Sequence, residues 1–451
     1  MMSVLRAKCL PLLLGLALLP LVSHGEDLMD TYRQAVANDP ILSTASAAQR
    51  VTAEDVPQAR SALLPQLSVG LGLEQIHGGS GAITSSNGNI VNTGAVGHTR
   101  ERDLSGVLSQ PLIDVASIAR LRAAHASDDA GEEVYRAALQ QLYVRVADAY
   151  FNVLVAQDSV DVFRSYEDAY KQEFDQSSVR FKNGLAMASD VSQSQAYYQF
   201  IKSERIGAQV NLKDAKRALE QITGQPTGVL KKLRDDLPMQ APTPANPQAW
   251  VDAAMHSNPV ILAAHYTVTA DEHRVSAARA GHLPTLNASL QYGKFGSWSS
   301  AVPGAAAYGP GVTTIGLTLS VPIFSGGLTQ SQVRQAIAQR DEDRGTLESR
   351  RRQAARDANN YYNSVVDGID QVRAAHTSVD AAGKSLASMR AGYEIGTQSL
   401  TSVVIAIQTL AQVQSQYSVV RHQLVLNKLL LKQAAGSIDL HDLEDVNKLL
   451  Q

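Results

Sequence analysis

Residues 317–327, LTLSVPIFSGG, change their periodicity partway through. Up to Val321, apolar residues alternate with small or polar ones, as in a half-buried β-strand. Pro322 then interrupts the pattern, and Gly326-Gly327 is followed by a long run rich in Gln, Ala, Arg and Glu. Because proline lacks a backbone N–H, it ends strand pairing but is tolerated in the first turn of a helix. The stretch therefore predicts a strand that gives way to a very long helix.

Several short signals occur twice, in the same order and at nearly constant spacing. They are Asn38-Asp-Pro40 with Ser257-Asn-Pro259, Leu64-Pro65 with Leu283-Pro284, the QPLID of 110–114 with the VPIFS of 321–325, Gly184 with Gly396, and Gly224 with Gly436. The first two pairs lie 219 residues apart, and the others lie 211 or 212 residues apart. Chance can supply one such pair but not a colinear series, which indicates an internal duplication.

Long stretches without proline predict the helices of each repeat. Residues 112–225 and the chain after Pro322 contain no proline, and a proline inside a helix costs ~3 kcal/mol. The outgoing helix of the first repeat, residues 112–181, is predicted to have about 70 residues, or a length of roughly 105 Å. Turn residues break each stretch once, at Gly184 and at Gly396. Because glycine adopts the left-handed conformation freely, these positions are predicted to turn two helical hairpins.

The return segments are about half as long as the outgoing helix. Residues 185–222 and 248–281 together match its length, so we expect them to stack end to end beside it. In the second half, we expect 397–435 to stack on 27–62. Apolar residues spaced alternately by three and four, as from Leu139 to Phe163, predict paired helices with a left-handed supercoil. An ordinary bundle core is the alternative.

Four segments with alternating apolar and small or polar residues lie between the helices, at 67–74, 104–110, 286–292 and 315–321. Such alternation over about ten residues is the weak signature of a membrane barrel strand, with a soluble sheet as the alternative. Four strands cannot close a barrel, and open sheet edges are not viable in lipid. Several chains must therefore contribute strands, and three chains would give twelve. Four prolines are predicted to mark the strand–helix junctions: Pro65, Pro111, Pro284 and Pro322.

The N-terminus has the three-part layout of a secretory signal. Arg6 and Lys8 precede an apolar run at 10–22, which is followed by small residues up to Gly25. The run is short for a membrane-spanning helix, so 1–25 is predicted to be a cleaved signal peptide, with an uncleaved anchor as the alternative. The single cysteine precedes the run, whereas a lipid-bearing cysteine should follow it. The chain is predicted to be exported.

Composition and motifs exclude several classes of function. The 451 residues are 44% hydrophobic and 18% charged, which is typical neither of a disordered chain nor of a polytopic helical membrane protein. The formal net charge of −3 argues against nucleic acid as a partner. The sequence has no HExxH motif, no GxSxG motif and no glycine-rich phosphate loop. We therefore expect no enzyme activity, no cofactor and no metal site.

The whole pattern resembles the TolC-type family of outer-membrane efflux and type I secretion ducts. The segment AGYEIGTQSL, residues 391–400, is similar to the family's Gly-Tyr-x-x-Gly-Thr segment, and the duplicated prolines agree with it. The resemblance implies a homotrimer with a 12-stranded β-barrel in outer-membrane lipid and a long coiled-coil α-barrel, or tunnel, in the periplasm. It also implies a periplasmic adaptor protein and an inner-membrane pump as partners.

The predicted fold class is mainly α with a small β part. The segments are the signal peptide 1–25, a first structural repeat at 26–224, an equatorial linker at 225–247, a second repeat at 248–436 and a C-terminal equatorial tail at 437–451. The expected function is a trimeric outer-membrane exit duct for a tripartite pump that serves drug efflux, type I protein secretion or both. Its two glycine tips are expected to dock the adaptor. The alternative is an exported coiled-coil spacer without a pore.

In the family, polar links between the helix pairs close the periplasmic end of the tunnel. The resemblance places Tyr393 on the linking tyrosine and Asp190 on the linking aspartate, whereas Gln398 stands where arginine is common. The family's constriction aspartates fall at Ser402 and Ile405, so an acidic ring is not expected here. We expect the Asp190 carboxylate to accept hydrogen bonds from the Tyr393 hydroxyl and the Gln398 amide. The alternative is that Tyr393 is a packing residue of a heptad seam.

Overall fold

The computed structural model describes residues 25–77, 82–84, 90–92, 98–299 and 306–451, so the predicted signal peptide before Gly25 lies outside the described residues. The helices are α1 (Leu28–Asn38), α2 (Pro40–Ser61), α3 (Val115–Lys182), α4 (Ala188–Thr223), α5 (Pro247–Ser257), α6 (Pro259–Ala280), α7 (Leu328–Glu394), α8 (Leu400–Ala434) and α9 (Leu440–Asn447). Within the described ranges, no helix combines the length and apolar character needed to cross a membrane.

The two long helices confirm the prediction from proline placement. α3 has 68 residues and α7 has 67, so each is about 100 Å long at 1.5 Å per residue. α3 begins after Asp114, whose carboxylate accepts a hydrogen bond from the backbone N–H of Ser117 at 3.0 Å. α7 begins later than expected, at Leu328, because Gly326 and Gly327 adopt left-handed conformations with φ of 64° and 84°.

The strands are β1 (Gln66–His77), β2 (Ala82–Thr84), β3 (Ile90–Asn92), β4 (His98–Ile113), β5 (Thr285–Ser299), β6 (Ala306–Tyr308) and β7 (Val312–Ser320). β1, β4 and β5 contain their predicted segments, and β7 contains all of 315–321 except Val321. The four long strands form an antiparallel sheet in the order β1-β4-β5-β7. One face carries the predicted apolar residues of all four long strands, and many of these side chains are exposed. Leu67 and Val69 are each 74% exposed and Leu317 is 70% exposed.

Three of the four junction prolines lie at strand ends, as predicted. Pro65 and Pro284 immediately precede β1 and β5, and Pro322 follows the end of β7. The prediction for Pro111 was wrong by a few residues, because this proline lies inside β4. The strand continues past it through an irregularity, with Pro111 opposite Asn287 and Ile113 opposite Leu286. A register shift of this kind accommodates the missing N–H of proline.

The predicted stacking of the short helices was wrong. The C-terminus of α4 meets the α1–α2 junction, where Asn38 Nδ2 donates to the Thr223 carbonyl oxygen at 2.9 Å. The C-terminus of α8 meets the α5–α6 junction, where Asn258 Nδ2 donates to the Ala434 carbonyl oxygen at 2.9 Å. Each repeat therefore closes on its own incoming helices and not on those of the other repeat. The asparagine amides bridge both junctions and satisfy carbonyls that a helix C-terminus leaves free.

The largest core cluster lies around the middle of α3. Leu142, Val146 and Val153 of the predicted heptad seam are buried there. Tyr150 is also fully buried, and its hydroxyl donates to the carbonyl oxygens of Glu26 at 3.0 Å and Lys231 at 2.9 Å. These bonds attach the chain around 225–247 to the helices. That segment also pairs with the tail at 437–451, since the backbone N–H of Lys232 donates to Gln451 at 3.0 Å.

Candidate functional site at the hairpin tips

Both helical hairpins end in the same kind of backbone turn. Gly184 and Gly396 have φ of 72° and 78°, a left-handed conformation that glycine adopts without steric cost. The N–H of Leu185 donates to the carbonyl of Arg180 at 2.8 Å, and the N–H of Thr397 donates to that of Gly392 at 2.8 Å. These bonds close the C-termini of α3 and α7 in the Schellman pattern. The two predicted turn glycines therefore lie at the two tips.

Two tyrosines of α3 hold the hairpins side by side. The Tyr166 hydroxyl donates to Gln414 Oε1 at 2.7 Å, and the Tyr170 hydroxyl donates to the Val404 carbonyl oxygen at 3.2 Å. Tyr170 is 2% exposed and lies in a core cluster built from α3, α4, α7 and α8. Burial raises the pKa of the Tyr166 hydroxyl to about 12, so this donor keeps its proton at neutral pH. The α3/α4 and α7/α8 hairpins thus pack against each other as one unit near the tips.

The carboxylate of Asp190 caps its own helix. Its Oδ2 atom accepts a hydrogen bond from the backbone N–H of Met187 at 3.3 Å, and its Oδ1 atom accepts from the Ser189 hydroxyl at 3.4 Å. Asp190 is the third residue of α4, where an acidic side chain also stabilises the helix N-terminus. Among the described residues, no hydrogen bond joins Asp190 to Tyr393 or to Gln398. The structure does not bring the three together within one chain, and their gating role stays a prediction.

Tyr393 contacts the other hairpin through its ring. It is partly buried and packs against the core cluster at the tips, which is the packing role expected of a seam residue. The guanidinium carbon of Arg180, in the last turn of α3, lies 4.9 Å from the centroid of this ring. A cation–π contact of this kind contributes ~0.5–1 kcal/mol at an exposed site. Tyr393 is therefore both a packing residue and a bridge between the hairpins.

The side chain of Gln398 folds back over its own hairpin. Its backbone N–H donates to the Gly392 carbonyl oxygen at 3.1 Å. A methyl group added at Gly392 would lie 2.5 Å from Gln398 Cγ, so the two residues are in close contact. Gln398, Ser402 and Ile405 line one groove of about 280 Å³. The other lining residues are Ala382, Ser385, Met389, Ala406 and Thr409, and none of the eight carries a carboxylate.

A buried carboxyl group at the tips was missed by sequence reasoning. Glu173 of α3 is 9% exposed, and within the described ranges its Oε2 atom makes no hydrogen bond. The same holds for Nε of Arg390 in α7. Burial raises the pKa of Glu173, and the guanidinium groups of Arg390 and Arg180 oppose that rise. The one sequence signal was that Arg390 interrupts an apolar heptad seam.

The described part of the chain holds no group of three or more His, Cys, Asp or Glu side chains that could bind a metal ion. Near the tips, hydrogen bonds from Tyr166 and Tyr170 and the contact of Arg180 with the Tyr393 ring join the two hairpins, and such contacts can hold the hairpins together or let them separate. The tips also expose apolar side chains, because Leu185 and Ile395 are each 77% exposed and Met187 is 72% exposed.

Comparisons with known proteins agree with this architecture. The family model of the outer membrane efflux protein matches residues 31–225 and 250–437. The outer membrane protein TolC of Escherichia coli is 30% identical over 453 residues, which cover 98% of this chain and 89% of that protein. TolC of Vibrio cholerae is 31% identical over 447 residues, 98% of each chain. The alkaline protease secretion protein AprF of Pseudomonas aeruginosa is 27% identical over 427 residues, 92% of this chain and 86% of that one.

Solved structures show the same fold at lower sequence identity. The outer membrane protein VceC of Vibrio cholerae gives a TM-score of 0.74 at 19% identity, over 91% of this chain and 96% of that chain. The CmeC outer membrane channel of Campylobacter jejuni gives a TM-score of 0.76 at 18% identity, over 94% of this chain and 90% of that chain. The chain therefore belongs to the outer membrane efflux protein family, with its strands in the outer membrane and its helices in the periplasm.

Proposed function

We propose that three copies of this chain form an exit duct through the outer membrane and the periplasm. The observation that carries the proposal is the sheet β1-β4-β5-β7, whose apolar face is exposed along its length and whose two edge strands, β1 and β7, are open within the described chain. Open edges are not viable in lipid. Joining β7 of one copy to β1 of the next closes the sheet, and three copies give twelve strands, within the range of known barrels.

The helices would continue this barrel as a periplasmic tunnel. The related protein AprF is named for alkaline protease secretion and PrtF for proteases secretion, whereas BepC is named as an efflux protein. These names support a duct that passes secreted proteins, small toxic compounds or both. The spacer alternative leaves the exposed apolar face of the sheet without a function, and we therefore favour the duct.

The tips supply the docking surface for a periplasmic adaptor, which connects the duct to an inner-membrane pump. Leu185, Met187 and Ile395 are exposed apolar residues at the far end of the helices from the sheet. Exposed apolar side chains at the end of a rigid element are typical of a protein interaction site. The same hairpins would gate the entrance, because contacts that hold them together narrow it and a partner bound to the tips could separate them.

The assembly is tested by native mass measurement of the mature protein in mild detergent. We expect three chains per particle, and ion conductance when the particle is inserted in a planar bilayer. A variant altered only at the tips, Leu185→Ser with Ile395→Ser, serves as the control and should remain a trimer while it loses binding of the adaptor. A stable monomer with intact strands would overturn the proposal.

A further inference from the structure

The register of the strands sorts the charged residues at one end of the sheet onto two faces. In an antiparallel pair, residues opposite each other share a face. Arg102 lies opposite Leu73, and Lys294 lies opposite Leu104, so both cations share the apolar face. Arg100, two residues before Arg102 on β4, shares that face as well. We call Arg100, Arg102 and Lys294 the outward basic cluster.

The acidic residues of the same strand ends occupy the other face. Glu74 lies opposite Glu101, and Asp103 lies opposite Gly72. The Asp103 carboxylate covers Gly72 closely, since a methyl group added at Gly72 would overlap it. In the barrel this face lines the lumen. The cations therefore lie on the face toward lipid and the carboxylates on the face toward water. The two signs of charge are separated between the two faces of the sheet.

The outward basic cluster lies at the extracellular boundary of the apolar band. β1 leaves the helices at Gln66 and ends at His77, so its far end is extracellular. Its outward apolar residues from Leu67 to Leu73 span about 20 Å at ~3.4 Å per residue, close to the height of a barrel's apolar band, ~25 Å. Arg102 is opposite the last of these residues. Arg100 and Arg102 therefore lie at the extracellular end of the apolar run, and Lys294 lies one outward position closer to its middle, level with Leu71 and Leu104.

The surface at the cluster is shaped to hold a headgroup. A concavity of about 510 Å³ is lined by Leu71, Leu73, Gln75, Arg100 and Arg102, together with Glu74 and Glu101. Gln75 Oε1 accepts a hydrogen bond from Arg100 Nε at 3.2 Å, which positions the guanidinium on this face. Gly296 lies opposite Arg102 and adds no side chain to the space. Glu74 and Glu101 line the concavity from the other face of the sheet. On the apolar face, leucines below and guanidinium groups above suit a molecule with acyl chains and an anionic head.

We propose that the outward basic cluster binds phosphate groups on the headgroups of outer-leaflet glycolipids of the lipid A class, and thereby fixes the height of the barrel in the membrane. Guanidinium groups bind phosphate with paired, charge-assisted hydrogen bonds. Basic residues at a membrane surface attract anionic headgroups. The inference goes beyond the export function and rests on the proposed barrel, which sets the side of the sheet that faces lipid.

The test is the retention of lipid A by the purified trimer, measured by native mass spectrometry from mixed micelles. The test variant carries Arg100→Gln, Arg102→Gln and Lys294→Gln. The control removes three exposed arginines of α7 instead, by Arg350→Gln, Arg351→Gln and Arg352→Gln. We expect the affinity for lipid A to fall roughly fivefold per charge removed from the cluster and to stay unchanged in the control. Arg100→Lys with Arg102→Lys should bind lipid A more weakly than the wild-type protein and more tightly than the test variant, because the charge remains but the paired guanidinium hydrogen bonds are lost.

Two further arms identify the ligand. Lipid A without its phosphates should bind the wild-type protein as weakly as the test variant binds lipid A. Inorganic phosphate at the same concentration should not displace the lipid. Equal binding of lipid A by the test variant and the wild-type protein would overturn the proposal, as would equal binding of the dephosphorylated lipid. Displacement by inorganic phosphate would assign the cluster to free anions instead of lipid. The trimer mass of each variant confirms assembly independently of lipid.

Discussion

The two hairpin tips are related by the duplication, and residues 212 positions apart occupy equivalent places in them. Gly184 and Gly396 share a left-handed backbone. The third residue of the following helix is Asp190 in the first tip and Ser402 in the second. Each tip has therefore kept the turn and changed the side chains around it. The two tips share the element that the backbone turn requires, whereas the third residue of the following helix differs between them.

Substitution of the turn glycines is expected to destabilise the tips more than any other change. The loss of stability should be equal in both tips if their backbones are equivalent. Gly184→Val and Gly396→Val each place a side chain in the left-handed region, which costs at least ~1–2 kcal/mol. Hydrogen exchange of the tip amides should rise roughly tenfold in each variant, and adaptor binding should fall. Gly383→Val is the matched control, because Gly383 lies within α7 with open space around it. Faster exchange at only one tip would show that the two turns are not equivalent.

Much of the fold follows from local sequence signals, because prolines and glycines act through the backbone alone. The outgoing helix was predicted to end at Phe181 and ends at Lys182. The stacking of short helices could not be predicted from segment length, because it depends on Asn38 and Asn258 reaching carbonyls more than 170 residues away in sequence. The Arg180–Tyr393 contact was missed for the same reason, since no periodicity within one helix shows which side chain faces it from another.

A smaller difference between the tips is expected from their helix caps. The N-terminus of α4 depends on its third residue, Asp190, whereas that of α8 depends on Ser399, whose hydroxyl accepts from the N–H of Ser402 at 3.2 Å. Asp190→Ala and Ser399→Ala should each destabilise the first turn of their helix by ~0.5–2 kcal/mol. Ser402→Ala, equivalent to Asp190→Ala by position, should have little effect. Hydrogen exchange of the first-turn amides measures this, and a large effect of Ser402→Ala would contradict the assignment of caps.

The next comparison concerns the side-chain contacts proposed to hold the hairpins together at the entrance, each of which is weak. Arg180→Gln removes the guanidinium above Tyr393, a contact of ~0.5–1 kcal/mol, and should raise single-channel conductance in a planar bilayer. Tyr393→Phe combined with Asp190→Ala should also raise it, if these groups link hairpins across the trimer. Gln398→Arg should lower it by adding an ion pair with Asp190.

The control for these gate variants is Lys182→Gln, which removes an exposed charge from the same turn of α3. Its conductance should match that of the wild-type protein at the same ionic strength. Conductance that is indifferent to all of the gate changes would show that these residues only pack the seam and that the entrance is narrowed elsewhere.

The smallest expected effect is a pH dependence that belongs to the first hairpin alone. Position 173 carries a buried glutamate, whereas the equivalent position of the second hairpin is Ser385, which is exposed. Burial raises the pKa of Glu173 above its ordinary value of 4.5 in the packed tips. Separation of the hairpins would expose the carboxyl group to water and return its pKa toward that value. The packed state therefore binds the proton more tightly than the separated state.

Stability of the packed tips is accordingly greatest at acid pH and falls as the pH rises from about 4.5 through the raised pKa of Glu173. Conductance should follow the opposite course and decrease when the pH is lowered through this window. Glu173→Gln keeps the shape of the side chain but cannot titrate, so its conductance should lose the dependence. Asp175→Asn, which removes an exposed acid two residues further along α3, is the matched control and should keep the pH dependence. An identical pH profile in Glu173→Gln and the wild-type protein would mean that the carboxyl group does not change its environment when the hairpins separate.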